Sequence, residues 1–276
     1  MTVAPASMAY GAMLRPELDA VLDWAALEGW NPGLADAEAV FASDPGGFFV
    51  ARREGVPVAA ICVVNHTKTF AFLGLYICKP EARGKGIGFG LWNMALAHAG
   101  PRVIGLDGVA DQQANYAASG FVLASRTERF TGCVDAAQPL DVVRPMDVGW
   151  ITEMEAAACG YDKPAFMGAW LAPSPDRQTL VLPDRSGFAT VRACRQGAKI
   201  GPLVATDLGG AKALLHGAAG VFSGPLTLDL PLESDAMTDY CRSIGMSCGF
   251  ATARMYRGAA PKPGAHVRAV GTLELG

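Results

Sequence analysis

The chain has 276 residues, 51% of them hydrophobic and 18% charged, with a formal net charge of −3. That is enough material for a sizeable core and predicts two domains, 1–138 and 139–276. A pI near 5.8 without any Lys/Arg cluster argues against a nucleic-acid partner, which needs several cations on one face.

No uninterrupted apolar run approaches the roughly 20 residues that span a bilayer, so no membrane partner is expected. The seven cysteines form no C-x-x-C pair, which fits a reducing, cytoplasmic setting. After Met13, RPELDAVLDWAALEGW places Leu18, Val21, Leu22 and Ala25 at helical spacing, and Asn31-Pro32-Gly33 ends the helix. A short second helix, LADAEAVFAS, leads into three strands at 48–52, 58–64 and 69–78, a β-meander. Four glycines at alternate positions (Gly84, Gly86, Gly88, Gly90) then open a helix over 87–99. The strand RVIGLDGV, the helix QQANYAAS and closing strand material over 121–130 follow. This order predicts an α/β fold with a mixed, mostly antiparallel sheet flanked by helices.

A weaker copy of the order follows Asp141. GFVLASRTERFTG has Arg129 nine residues after Gly120, as GMSCGFATARMYRG has Arg254 nine after Gly245, and GFFVAR echoes GFATVR. Two similar domains in tandem account for both the length and the echoes.

The glycine stretch lacks the spacing of a P-loop and of a dinucleotide-binding fingerprint. It reads instead Arg83-Gly84-Lys85-Gly86-Ile87-Gly88, after a strand and Pro80 and before a helix. Glycines there let backbone N–H groups approach an anion closely, and the helix N-terminus adds partial positive charge, so a pyrophosphate fits. Residues 70–121 thereby resemble the acetyl-CoA site of the GNAT superfamily of N-acetyltransferases, whose pattern is strand, Pro, Q/R-x-x-G-x-G/A, helix. A second family element, Y-x-x-x-G-F, stands at Tyr116 to Phe121.

The resemblance implies acetyl-CoA as co-substrate. Tyr76, Ile77 and Cys78 would meet the pantetheine arm, and Arg83, Gly84, Lys85, Gly86, Ile87, Gly88 and Phe89 the pyrophosphate. Cys78 is then a strand residue rather than a nucleophile. Where the family often has an Asn, Val109 stands, with Asp111, Gln112 or Asn115 as substitutes. Tyr116 is expected as the acid that protonates the departing thiolate. For the base, Asp107 and Glu28 are candidates, Asp107 being equally suited to capping its turn; Trp30 and Asn31 could line the acceptor pocket.

Seven acidic residues (Glu17, Asp19, Asp23, Glu28, Asp36, Glu38, Asp44) lie between Pro16 and Ala51 with no Lys or Arg among them. They suggest a negative lip that attracts a cationic amine, alongside the plainer reading of solvated helix faces. The four histidines have no partner at metal-ligand spacing and read as surface or helix-end residues, so no metal is expected. The second half has Asp207 where a glycine ladder would be required, and its Tyr240 precedes Gly245 by five residues rather than four. It reads as a degenerate copy. The function expected is transfer of an acetyl group to a primary amine of a small molecule or peptide by direct attack in a ternary complex. The alternative is a non-catalytic acyl-CoA sensor.

Overall fold

The computed structural model describes residues 7–232 and 235–276. A first strand absent from the sequence reading, β1 (Met8–Ala12), pairs with β2 (Phe48–Arg53). Between them, α1 (Arg15–Leu27) buries Leu18, Val21, Leu22 and Ala25, the residues at helical spacing, and Glu17 reaches back to accept from the Leu14 N–H at 2.7 Å. That is the carboxylate half of a capping box, which satisfies a donor the helix start leaves free. The first half continues through α2 (Asp36–Ser43), β3 (Val56–Val64), β4 (Phe70–Cys78), α3 (Ile87–Ala99), β5 (Val103–Gly108), α4 (Gln113–Ala118) and β6 (Val122–Gly132).

The second half repeats the order. It runs β7 (Asp141–Val142), α5 (Val148–Cys159), α6 (Pro164–Trp170), β8 (Arg177–Val181), β9 (Gly187–Ala193), β10 (Ala198–Ala205), α7 (Leu208–Ala218), β11 (Leu226–Pro231), α8 (Asp235–Ser243) and β12 (Ser247–Arg257). A last strand, β13 (Val267–Ala269), has no counterpart in the first half. One detail of the repeat is corrected: GFFVAR lies in β2, the first strand of its meander, whereas GFATVR lies in β9, the second.

The two halves share one sheet, in the order β1-β2-β3-β4-β5-β12-β6-β11-β10-β9-β8-β7. The strand expected to close the first domain, β6, does not touch β5. Instead β12 pairs with β5 and β6 pairs with β11, so each half lends its final strand to the other. The exchanged strands meet antiparallel, with Thr127 opposite Thr252, its own counterpart in the repeat. A pseudo-two-fold axis passes between them.

Two buried ion pairs stand on either side of this axis. Arg254 lies opposite Asp107 and donates to both its oxygens at 2.8 and 2.7 Å; Arg129 lies opposite Asp229 and donates to both at 2.7 and 2.9 Å. Burial works against each charge. Asp107 nevertheless holds Arg254 well above the ordinary guanidinium range, and Arg129 keeps Asp229 below the usual carboxylate range. Such pairs add little over a well-packed apolar pair, but losing one partner strands a buried charge at about 3–5 kcal/mol. They therefore fix which strand lies where.

Alternation along the strands divides the core. Val50, Ala60, Cys62 and Val64 face a cluster that α1 and α2 share with Ile151, Phe166 and Trp170 of the second half. Ala51, Ala59, Ile61 and Val63 face α3 and α4. One core thus joins the halves on one face while each keeps its own helices on the other.

Candidate functional site

β4 and β5 run parallel only from Phe70/Val103 to Leu73/Leu106. Beyond that, the register with β3 slips between Ala60 and Cys62, and Leu75 adopts φ 46°, a conformation uncommon for a side chain of this size. This bulge turns Tyr76, Ile77 and Cys78 away from β5 and leaves a cleft between the strands. Lys79 and Pro80 then lead into the glycine loop.

The glycines do two different jobs. Gly84 and Gly86 have φ 70° and 73° with open space where a Cβ would stand. They turn the chain at the mouth of the cleft. Gly88 and Gly90 clear room for packing: a Cβ on them would meet the Tyr76 hydroxyl at 2.5 Å and the Tyr10 ring at 2.6 Å. α3 has Gly86 at its N-cap and no side-chain cap; the Phe89 amide donates to the Gly86 carbonyl at 3.1 Å, and the Ile87 and Gly88 amides before it have no side-chain partner.

A groove of about 420 Å³ lies over this surface, lined by Tyr76, Ile77, Cys78, Arg83, Gly84, Gly86, Ile87, Gly88 and Phe89 together with Glu28 and Trp30. Arg83 is held at its mouth by the Cys78 carbonyl at 2.9 Å and by Glu28. The Lys85 side chain folds back onto the Glu81 carbonyl at 2.8 Å and lies outside the lining. Bare helix amides, two open glycines and a strand edge fit a pyrophosphate with an extended arm.

A smaller inner pocket of about 70 Å³ adjoins the groove and shares Trp30, Tyr76, Val109 and Gln112 with it. Asp107, Tyr116, Arg129, Phe250, Thr252 and Glu274 complete its wall. Tyr116 is buried and stacks on Trp92 with centroids 5.6 Å apart. Burial, with Tyr76 alongside, pushes its phenol above the ordinary tyrosine range, while burial and Cys78 push Tyr76 up to about 12. Burial also raises the Cys78 thiol, which disfavours a nucleophilic thiolate. Of the substitutes for the family Asn, Asp111 and Gln112 line the groove, and Asn115 donates to Gln112 at 2.9 Å.

Several sequence expectations come out differently. Both oxygens of Asp107 accept from Arg254, which commits its carboxylate to a buried ion pair. Glu28 stands at the groove mouth on Arg83, away from the inner pocket. Asn31 lines neither hollow; its side-chain amide bonds Gln196 in the turn between β9 and β10. Trp30 does line both, and its carbonyl accepts from Arg129 and Lys199.

Each acidic residue of the lip has a basic partner, some flanking the segment and some remote in sequence. Arg15 takes Asp19 and Glu38, Arg52 takes Glu17, Arg83 takes Glu28, His98 takes Asp44, and Arg192 and Arg195 of the second half take Asp36 and Asp23. Nor is His66 a surface residue: it is buried, donates from Nε2 to the Leu275 carbonyl at 2.8 Å, and burial pushes its pKa down to about 3. Among the described residues no group of three or more His, Cys, Asp or Glu could hold a metal, and no helix is long and apolar enough to cross a membrane.

The corresponding place in the second half is filled. β10 pairs with β11 over Ala198–Ile200, slips register, and diverges as β4 does. Into the opening comes β13: Leu203 to Ala205 pair with Ala269 to Val267, and Val270 N donates to the Asp229 carbonyl of β11 at 2.8 Å. Asp207 caps α7, accepting from Gly210 N at 2.8 Å. Strand edge and helix amides are thus satisfied from within. A larger cavity of about 570 Å³ in this half lies elsewhere, along Val142, Trp170, Leu171 and Phe222.

Sequence reading found the groove but missed Arg129, Glu274 and Phe250, which come from distant segments and carry no local motif.

Comparison with known proteins supports this picture. Residues 15–122 match the Acetyltransferase (GNAT) family and residues 151–269 an Acetyltransferase (GNAT) domain. The holothin acyltransferase of Pseudoalteromonas sp. (strain SANK 73390) is 32% identical over 270 residues, covering 94% of this chain and 92% of that protein. A candidate acetyltransferase from Pyrococcus horikoshii superposes with a TM-score of 0.80 at 20% identity, over 100% of this chain and 98% of that one. A tandem GNAT protein from the clavulanic acid biosynthesis pathway superposes at 0.60 with 14% identity, over 93% and 99%. The chain belongs to the GNAT acetyltransferase family and is an acyltransferase built from two GNAT domains in tandem.

Proposed function

We propose that the first domain transfers an acetyl group from acetyl-CoA to a primary amine of a small molecule or peptide, in a ternary complex and without an acyl-enzyme. The observation that carries this is the open cleft between β4 and β5, bordered by an uncapped helix N-terminus and continuous with a pocket holding Tyr116. The main chain of Tyr76 to Cys78 and the loop Arg83 to Phe89 hold the coenzyme, with Lys85 contributing its backbone. A backbone N–H of the Tyr76–Cys78 edge donates to the acyl oxygen as charge develops there, a contribution on the order of 3 kcal/mol in acyl-transfer enzymes.

Acetyl-CoA supplies the acyl group as a thioester. The acyl carbon exchanges its bond to sulfur for one to nitrogen, the electron pair leaves on sulfur, and Tyr116 supplies sulfur with a proton that nitrogen returns. The raised pKa keeps Tyr116 protonated throughout the working range. Asp107 is given a positioning role, holding Arg254 and thereby β12 beside the pocket. The inner pocket, at about 70 Å³, favours a short acyl group and a slender amine.

The test is release of coenzyme thiol on mixing the protein and acetyl-CoA with a panel of amines. Holothin belongs in that panel because the holothin acyltransferase is 32% identical to this chain. Saturable, amine-dependent release is expected; its absence with every amine sinks the reading.

A further inference from the structure

Of the two carboxylates in the inner pocket, Asp107 is fully engaged and Glu274 is not. Glu274 belongs to the segment after β13, which leaves the second domain and crosses to the first. Its main chain lies so close to β4 that a Cβ on Gly74 would meet the Glu274 carbonyl oxygen at 2.0 Å. Leu275 is buried and its carbonyl is bonded to His66; Gly276 N donates to Thr272 O at 2.9 Å, closing a turn around Glu274. The residue is therefore held from both sides where it lines the pocket. Thr272 donates to Oε2, and Oε1 has no partner among the described residues.

We infer that Glu274, delivered by the second domain's tail, is the base that takes a proton from the incoming ammonium group. This rests on the acetyl-transfer reading above. Of the two protons that nitrogen loses, one forms the O–H bond at Glu274 and passes to solvent. The other ends on the departing sulfur by way of Tyr116. A carboxylate in this place also supplies the attraction for a cationic acceptor that the neutralised acidic helices cannot. Glu274 shares the space with Arg129 of β6, Lys199 of β10 and Cys62 of β3, all within its electrostatic reach, and with Asp107, Tyr76 and Tyr116 around the wall.

The experiment compares wild type with Glu274→Gln and Glu274→Asp, using acetyl-CoA and the fastest amine of the panel from pH 6 to 10. Gln keeps the Thr272 contact and the shape but cannot take a proton. At pH 7 its kcat/KM should fall about 10²-fold or more, as for a lost general base. The deficit should shrink about tenfold per pH unit as the amine nears its own pKa of about 10 and loses the proton unaided. Asp should recover part of the rate. The Kd for acetyl-CoA by calorimetry and the Tm should match wild type for both variants. A Gln variant within threefold of wild type, or one with an equal deficit at every pH, overturns the inference. Wild type that fails to bind acetyl-CoA, or turns over no amine, overturns the function reading itself.

Discussion

The two domains share a topology and differ in what occupies one cleft. In the first, β4 parts from β5 and leaves a strand edge and an uncapped helix end exposed; in the second, β10 parts from β11 and β13 fills the gap, while Asp207 caps the helix. The backbone amides are equally polar in both. What differs is whether the chain satisfies them itself, and a helix N-terminus binds an anion only where it does not. The filled cleft then has another use: the segment that fills it continues to the first domain's pocket.

Gly86→Asp tests the open half with the largest expected effect. A side chain and a negative charge at a position of φ 73° meet the incoming pyrophosphate, and calorimetry should find acetyl-CoA binding abolished with the fold retained. Gly209→Asp at the second helix start should leave that affinity unchanged. Equal losses at both positions would falsify the asymmetry between the halves.

The exchange itself is broken by Arg254→Met or Arg129→Met, each stranding a buried aspartate. Each should lower unfolding free energy by about 3–5 kcal/mol in denaturant melts. The double substitution Arg254→Met with Asp107→Leu should recover most of that loss, because a buried pair contributes little over apolar packing. A double variant as unstable as the single one would mean that the pair holds the strands by more than charge neutralisation.

Tyr116→Phe keeps the stacking on Trp92 and removes only the hydroxyl. Steady-state kinetics should show kcat down by roughly 10²-fold or more with the Kd for acetyl-CoA unchanged. Because burial raises the Tyr116 pKa, the wild-type rate should show no decline from phenol ionisation near pH 10, the ordinary tyrosine value. A decline there that disappears in the variant would contradict the burial argument.

A further effect, graded with pH, concerns His66, which bridges the first domain to the tail. Its folded pKa of about 3 lies below the ordinary imidazole value of 6.5, so the native state binds fewer protons than the unfolded one between those values. Its stabilising contribution is full above pH 6.5 and is lost as pH falls toward 3, by up to about 1.4 kcal/mol per pH unit. Melts across that window should flatten in His66→Gln, whereas an unchanged slope would locate the acid sensitivity elsewhere.

Much of the groove was legible because its determinants are local. Strand, Pro80, glycine loop and helix are consecutive, and the 87–99 helix coincides with α3. The acid residues misled for the opposite reason. Between Pro16 and Ala51 there is no Lys or Arg, yet Arg15 and Arg52 at its edges fold onto it and Arg192 and Arg195 arrive from the second half. Asp107 looked like a strand-end base, and nothing adjacent to it announces Arg254, 147 residues away.

The family, the duplication, the helices and the glycine loop were legible in the sequence, since periodicity and turn chemistry act over a few residues. Even the exchanged arginines were visible as an echo at Arg129 and Arg254. The three-dimensional arrangement was needed to see that these strands cross over, that the second cleft is filled, and that Glu274 lines the same pocket as Tyr116. A strand carries the same pattern of buried and exposed residues whichever neighbour it pairs with, so its sequence does not name its partner. That choice is made by complementary charges and packing between segments 100 and 147 residues apart.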